Sequence, residues 1–256
     1  MIDRTTKVLQ ERAAIALVVI ETRLDRLMQA WLLFAGLACA ARLALSPLPD
    51  GLAAGTLLPF LLVITTPFAS MVLALRWFSD GDRMPQPSFR LAQFGRWRTV
   101  ARDMARANPL YGPAGLMVSL LIGMLVNVPI RALEYLASMP ALPAHAPGWL
   151  ERLHFLMTFD VVLLTSLYAV AFVAALRRVP LFPRLLVAIW LVDVGMQLMI
   201  ATLASTGTGL PADVAAALQP MLKGNIDKVL VSVALWLPYL LLSARVNITY
   251  RHRIAG

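Results

Sequence analysis

Seven side chains able to carry charge or strong hydrogen bonds fall inside stretches that otherwise suit an apolar solvent: Asn127, Arg131, Glu134, Asp160, Asp193, Gln197 and Lys228. Asp193 poses the sharpest question, because "AIWLVDVGMQLMI" (188–200) has no other ionisable residue. Ionisable groups in such segments are costly and face a partner or a cavity. Asn127, Arg131 and Glu134 follow i, i+4, i+7 spacing, so a helix puts all three on one face, and Asp193 shares a face with Gln197 at i, i+4. Pro129 lies among the first three. It removes one backbone donor and crowds the carbonyl of Leu125, which predicts a kink. Arg131 is the expected counter-ion of Asp193. The alternative is a carboxyl that keeps its proton, since removal from water penalises the charged form. If the pair forms, Asp193→Asn strands a charged arginine, which costs about 3–5 kcal/mol in soluble proteins.

The elements that must position these groups follow from composition. The chain has 256 residues, 59% hydrophobic and 14% charged, with a mean hydropathy of +0.73. Soluble domains hold about 45–50% apolar and about 25% charged residues, and both departures point to a bilayer. A spanning helix needs about 20 mostly apolar residues. Six segments qualify, at roughly 27–46, 56–77, 114–138, 155–176, 182–204 and 226–243. The expected fold class is an all-α, polytopic integral membrane protein. The first 26 residues carry charge on both sides of a short apolar core and show no small-residue cleavage pattern, so a cleavable signal peptide is not expected. The single cysteine, Cys39, lies within the first span and has no disulfide or metal partner nearby in sequence.

Net charge is +9. Its distribution points to a membrane surface, not nucleic acid. The N-terminal segment, the connection after the second span, the connection after the fourth and the tail together hold 18 of the 23 basic residues. The remaining five are Arg42, Arg131, Arg152, Lys223 and Lys228. The positive-inside rule puts both termini in the cytoplasm, which an even number of spans requires. Asp193 then falls near the midplane, with Arg131, Glu134, Asp160 and Lys228 in the outer half, close enough to converge.

In the longest cytoplasmic connection, Ser88 is placed to cap a helix running to Ala107 and stopping at Asn108-Pro109. Leu91, Phe94, Trp97, Val100 and Met104 recur at helical steps, and Arg98, Arg102 and Arg106 form a ladder on another face. That pattern predicts an amphipathic helix in the cytoplasmic interface, its arginines contacting anionic lipid headgroups. The N-terminal helix is expected to lie there too. Residues 139–154 read as an ordered, proline-rich outer loop. The "GTGLPA" stretch (207–212) reads as a loop feeding a short helix from Pro211, since a dinucleotide fingerprint needs a preceding strand. His145 and His154 lack the spacing and companions of a metal pair. No nucleophile elbow, phosphate loop or zinc-helix motif is present, so no cofactor and no metal is expected. Thr165 and Ser166 read as residues bonded to their own helix backbone.

Three segments resemble the domain of unknown function 2569 family of bacterial inner-membrane proteins. "YGPAGLMVSLLIGML" (111–125) is similar to the glycine-containing start of its first span, with Gly112-Pro113-Ala114-Gly115 where the family has Gly-Gly-Trp. "RRVPLFPRLLVAIWLV" (177–192) resembles its short basic turn and proline-opened span, and "WLPYLLLSARVNITY" (236–250) its aromatic–proline ending. The resemblance covers 111–256 as a four-span unit and leaves 1–110 as an N-terminal extension with two spans and the interfacial helix. It implies the inner membrane but no activity and no catalytic residue.

The reading favoured is a non-enzymatic accessory or assembly subunit that packs with a membrane partner or with itself, its polar cluster acting as interhelical glue. Gly36 and Ala40 supply a small-residue face for that. The alternatives are a small transporter or channel around Asp193, for which no internal repeat symmetry speaks, and, further off, an intramembrane enzyme.

Overall fold

The structure, a computed structural model, describes residues 2–47, 51, 54–88, 95–143, 145–206 and 209–256; at 2–10 and 204–206 only the backbone is described. Its long helices are α1 (Ile2–Thr22), α2 (Leu24–Leu45), α3 (Ala54–Trp77), α5 (Leu116–Ser138), α6 (Gly148–Leu176), α7 (Phe182–Thr206) and α8 (Ala212–Leu242). All but α1 are long and apolar enough to cross a membrane. The protein is therefore an all-α multi-pass membrane protein. Each span forms where an apolar run of sufficient length must satisfy its backbone within itself. That same requirement lets Pro59, Pro67, Pro129, Pro220 and Pro238 sit inside helices.

The centre of the bundle is α6, which packs along α3, α5 and α7. Its half nearer Leu176, with Ala169, Ala171, Ala174 and Ala175 among its buried residues, lets neighbouring backbones approach closely, the usual membrane solution. One core cluster takes residues from both sides of position 110, including Ile20, Leu24, Met71, Met117, Phe172 and Phe182. The boundary of the family resemblance is therefore not a boundary of packing. By contrast α8 lies at the edge, against α7.

The outer loop is pinned from three directions. Arg42 Nε donates to the Met139 carbonyl (3.0 Å), Thr56 Oγ1 to that of Leu142 (2.8 Å), and Ala141 N to Ser46 Oγ (3.1 Å). The loop is shorter than 139–154, because α6 already begins at Gly148. The short helix expected from Pro211 is instead the first part of α8, continuous to Leu242.

The connection between α3 and α5 differs most from expectation. Among the described residues of the helix expected over 88–107, only α4 (Arg102–Ala107) is helical, while Trp97–Thr99 is a strand, β1. Residues 89–94 of that stretch, with Leu91 and Phe94, lie outside the described residues. The partner of β1 is β2 (Arg253–Ala255), antiparallel, with Trp97 opposite Ala255 and Thr99 opposite Arg253. Trp and Thr favour pleated structure, and the distant tail supplies the hydrogen-bond partners that a lone helix would otherwise provide. The preceding helix α9 (Ala244–Arg251) caps α8. Arg251 Nη1 donates to the Leu240 carbonyl (2.8 Å) and Asn247 Nδ2 to that of Leu241 (3.3 Å), satisfying carbonyls that a helix end leaves open. Tyr250, fully buried, donates its hydroxyl to the Ala175 carbonyl (2.8 Å).

Gly81, in the short turn after α3, lies against the α6–α7 turn. A Cβ there would stand 2.6 Å from the Arg177 carbonyl oxygen and 2.7 Å from a Val179 methyl, so only glycine allows the approach.

Orientation rests on charge and is testable. In a Cys39→Ala background, cysteines placed at Ser138 and Ser243 should label from opposite sides, Ser138 from outside and Ser243 from the cytoplasm. The opposite pattern would overturn the positive-inside assignment.

Candidate functional site: a closed polar cluster between α5, α6, α7 and α8

The cluster is organised by Arg131 on α5. Its Nη2 donates to Asp193 Oδ2 on α7, and its Nη1 stands 3.5 Å from Asp160 Oδ2 on α6. One guanidinium thus faces two carboxylates from two other helices. Tyr168, two turns below Asp160 on α6, donates its hydroxyl to the same Asp193 Oδ2 (3.0 Å). Its ring lies 5.9 Å from the Arg131 guanidinium carbon, within cation–π range. The planar fork of arginine suits this task, since separate N–H groups can serve separate acceptors.

A chain of amides leads outward from Asp160. Gln197 Nε2 donates to Asp160 Oδ1 (3.0 Å), Asn225 Nδ2 to Gln197 Oε1 (3.2 Å), and Lys228 Nζ to Asn225 Oδ1 (3.4 Å). Lys228 also pairs with Glu134 at the rim, where their side chains are 58% and 37% exposed. Every donor in the chain points toward Asp160. An ionised carboxylate is an acceptor only, and this polarity suits one.

Of the residues singled out by sequence, Arg131, Asp160, Asp193, Gln197, Glu134 and Lys228 meet in this network. Asn127 takes part in the wall of a cavity of about 40 Å³ shared with Arg131, Glu134, Asn225 and Lys228. A second cavity of about 20 Å³ touches Arg131 and Asp160. Each has room for about one water molecule, which needs at least about 10–15 Å³ by this measure. Asp193 lines neither and is 0% exposed. The site is closed. Its pairing is incomplete, because Asp193 Oδ1 and Arg131 Nε are buried without a hydrogen-bond partner.

Tyr168 and Asn225 escaped the sequence reading. Both had a signal: Tyr168 stands eight residues after Asp160, near its face of the helix, and Asn225 three residues before Lys228. Asp160 and Lys228 also lie deeper in their helices than expected, about 18 and about 24 Å from the first residues of α6 and α8 at 1.5 Å per residue, since both helices start earlier.

The arginine ladder does not form. Arg98 is exposed in β1, Arg102 Nη2 donates to the Arg83 carbonyl (3.0 Å), and Arg106 pairs with Asp82 (2.6 Å). These arginines serve three different surroundings, where one helix face was expected. His154 likewise has a structural neighbour, its Nε2 lying 3.2 Å from the Pro140 carbonyl.

The spans and the enclosed cluster define a polytopic helical membrane protein with a buried ionic core. No family model matches the chain, and neither does any curated protein or solved structure.

The shared arginine alters the expected cost of single changes. Asp193→Asn leaves Arg131 with Asp160, so it should destabilise less than the 3–5 kcal/mol typical of a broken buried pair. Arg131→Gln leaves two carboxylates together without their cation and should be the most damaging change. Tyr168→Phe should cost about 1.5–3 kcal/mol, the scale of a hydrogen bond to a charged group. Thermal unfolding in mild detergent gives the order. Equal losses for Asp193→Asn and Arg131→Gln would mean that Asp160 does not share the arginine.

Proposed function

We propose that this chain is a non-enzymatic accessory or assembly subunit of the bacterial inner membrane, with both termini cytoplasmic, that packs against another membrane protein or a second copy of itself. The observation that carries the reading is the enclosure of Asp193. Asp193 is fully enclosed, and the cavities beside its partners hold about one water each. A solute-binding pocket is typically about 300–1,000 Å³. Interhelical polar contacts of this kind set helix position and register.

The outward faces fit a packing role. No atom lies within 4 Å of a Cβ built on Gly36 of α2, and Leu33 and Leu37 beside it are exposed. Close helix association in a bilayer uses such small-residue positions. The resemblance of residues 111–256 to the domain of unknown function 2569 family is compatible with this role and supplies the inner-membrane location.

The test is the assembly state in native membranes. Cross-linking in intact membranes, followed by extraction in mild detergent, should place the chain in a defined complex larger than its own 28.0 kDa. Gly36→Trp should dissolve that complex while leaving the thermal unfolding of the extracted chain unchanged. A chain that stays monomeric and, in proteoliposomes, moves protons or a solute in a manner abolished by Asp193→Asn would replace this reading with the transporter alternative.

A further inference from the structure

A polar cavity of about 330 Å³ opens at the cytoplasmic end of the bundle, lined by Glu21, Ser79, Asp82, Arg177 and Arg178, with Leu24 and Leu176 at its apolar margin. Those two leucines are the first residue of α2 and the last of α6. The cavity therefore sits where spanning helices meet the headgroup layer. Inward along the same seam lies an apolar groove of about 50 Å³ between α2, α3, α5 and α6, lined by Leu27, Met28, Trp31, Met71 and Ala169 among others. Leu24, Leu27, Met28 and Trp31 fall at i, i+3, i+4, i+7, one face of α2. From Leu176 to Ala169 the seam descends roughly 10 Å at 1.5 Å per residue.

The charges in the cavity are not balanced. Asp82 is engaged by Arg106, which leaves Arg177 and Arg178 opposite the single carboxylate of Glu21. Arg178 is held in an unusual way. It is one of two non-glycine residues at positive φ (58°) among the described residues, a conformation that L side chains seldom adopt. Its guanidinium lies over the Tyr111 ring at 5.6 Å, and its Nε is buried with no hydrogen-bond partner. The glycine contact at position 81 brings the turn after α3 against Arg177 and closes one wall. The left-handed turn at Arg178 closes α6, with Arg178 N bonded to the Ala175 carbonyl and Val179 N to that of Ala174, and it leaves two adjacent arginines lining the polar cavity.

We propose that this seam binds one phospholipid bearing both a phosphate and a primary ammonium, a phosphatidylethanolamine, with its phosphate at Arg177 and Arg178, its ammonium at Glu21 and an acyl chain in the groove along α2. Arginine recognises phosphate by charge-assisted, often forked hydrogen bonds. Glu21 would accept from an ammonium, and a quaternary headgroup has no N–H to give it. The proposal is independent of the packing role, because it concerns the end of α6 at Leu176, about 24 Å from Asp160 at 1.5 Å per residue, and requires no partner chain.

The full-length chain, purified in mild detergent and stripped of lipid, provides the test through native mass spectrometry and thermal unfolding. Phosphatidylethanolamine should bind one per chain and raise the unfolding midpoint, above the effect of phosphatidylcholine. Glycerophosphoethanolamine and inorganic phosphate, which lack the chains, should give no comparable shift. Arg177→Gln with Arg178→Gln should lower occupancy about tenfold or more, on the scale of a lost charge-assisted hydrogen bond. The control Lys223→Gln should retain the lipid. Glu21 is exposed, so Glu21→Arg keeps the fold and should turn the preference toward phosphatidylglycerol. Equal binding of phosphatidylcholine and phosphatidylethanolamine, a shift with inorganic phosphate as large as with the lipid, or a headgroup preference unchanged by Glu21→Arg would each overturn the proposal.

Discussion

The position of three helices is fixed by one side chain, Arg131. Between membrane helices the hydrophobic effect offers little discrimination, since lipid tails are as apolar as leucine, and specific packing and polar contacts must choose the register. Arg131 does so by meeting Asp160 on α6 and Asp193 on α7 at one level. Sliding either helix by one turn, about 5.4 Å, would remove its carboxylate from reach. Tyr168 reinforces the α6–α7 relation by bonding to the same oxygen that Arg131 uses. The amide chain through Gln197 and Asn225 then carries that reference outward to α8, which otherwise lies at the edge of the bundle.

The two ends of the bundle are built differently. On the outer side, the connection after α5 is held by side chains of α2 and α3, so its order comes from Arg42, Ser46 and Thr56 more than from its own hydrogen bonds. At the end that carries the termini, residues 244–255 occupy the place where a surface helix was expected. Arg251 and His252 are buried there. Burial and the neighbouring Arg184 and Arg253 bring the Arg251 guanidinium down to about 10, and burial followed by nearby Arg102 lowers the His252 imidazole. Crowded cations of this kind are tolerable near a headgroup layer, where anionic lipid offsets them.

Much of this was legible in the sequence because it depends on local pattern. Spans announce themselves by apolar length, and Arg131 and Asp193 announce each other because neither is tolerable alone in oil. Asn225 was hidden because the last span starts earlier than its apolar run, which placed it in a loop. Tyr168 was hidden because a ring with one hydroxyl reads as apolar in a hydrophobic run. The ribbon at 97–99 was not legible at all. Its partner strand lies at the far end of the chain, and the helical spacing of Trp97, Val100 and Met104 is a local pattern that the tail overrides. The same override explains why Arg98, Arg102 and Arg106 ended in separate surroundings.

The pairing of β1 with β2 constrains the order in which the protein can be made. Ribosomes deliver the chain in sequence order, at about 5–20 residues per second, and β2 (Arg253–Ala255) follows α5, α6, α7, α8 and α9. The segment between α3 and α5 must wait, without its strand partner, until those helices have been synthesised. Tyr250, which bonds to the Ala175 carbonyl and lies tilted against the Phe182 ring with centroids 5.0 Å apart, arrives just before it. Pairing of β1 with β2 is thus a late step of biogenesis, and a change within β2 would bear directly on whether this face of the bundle can complete itself.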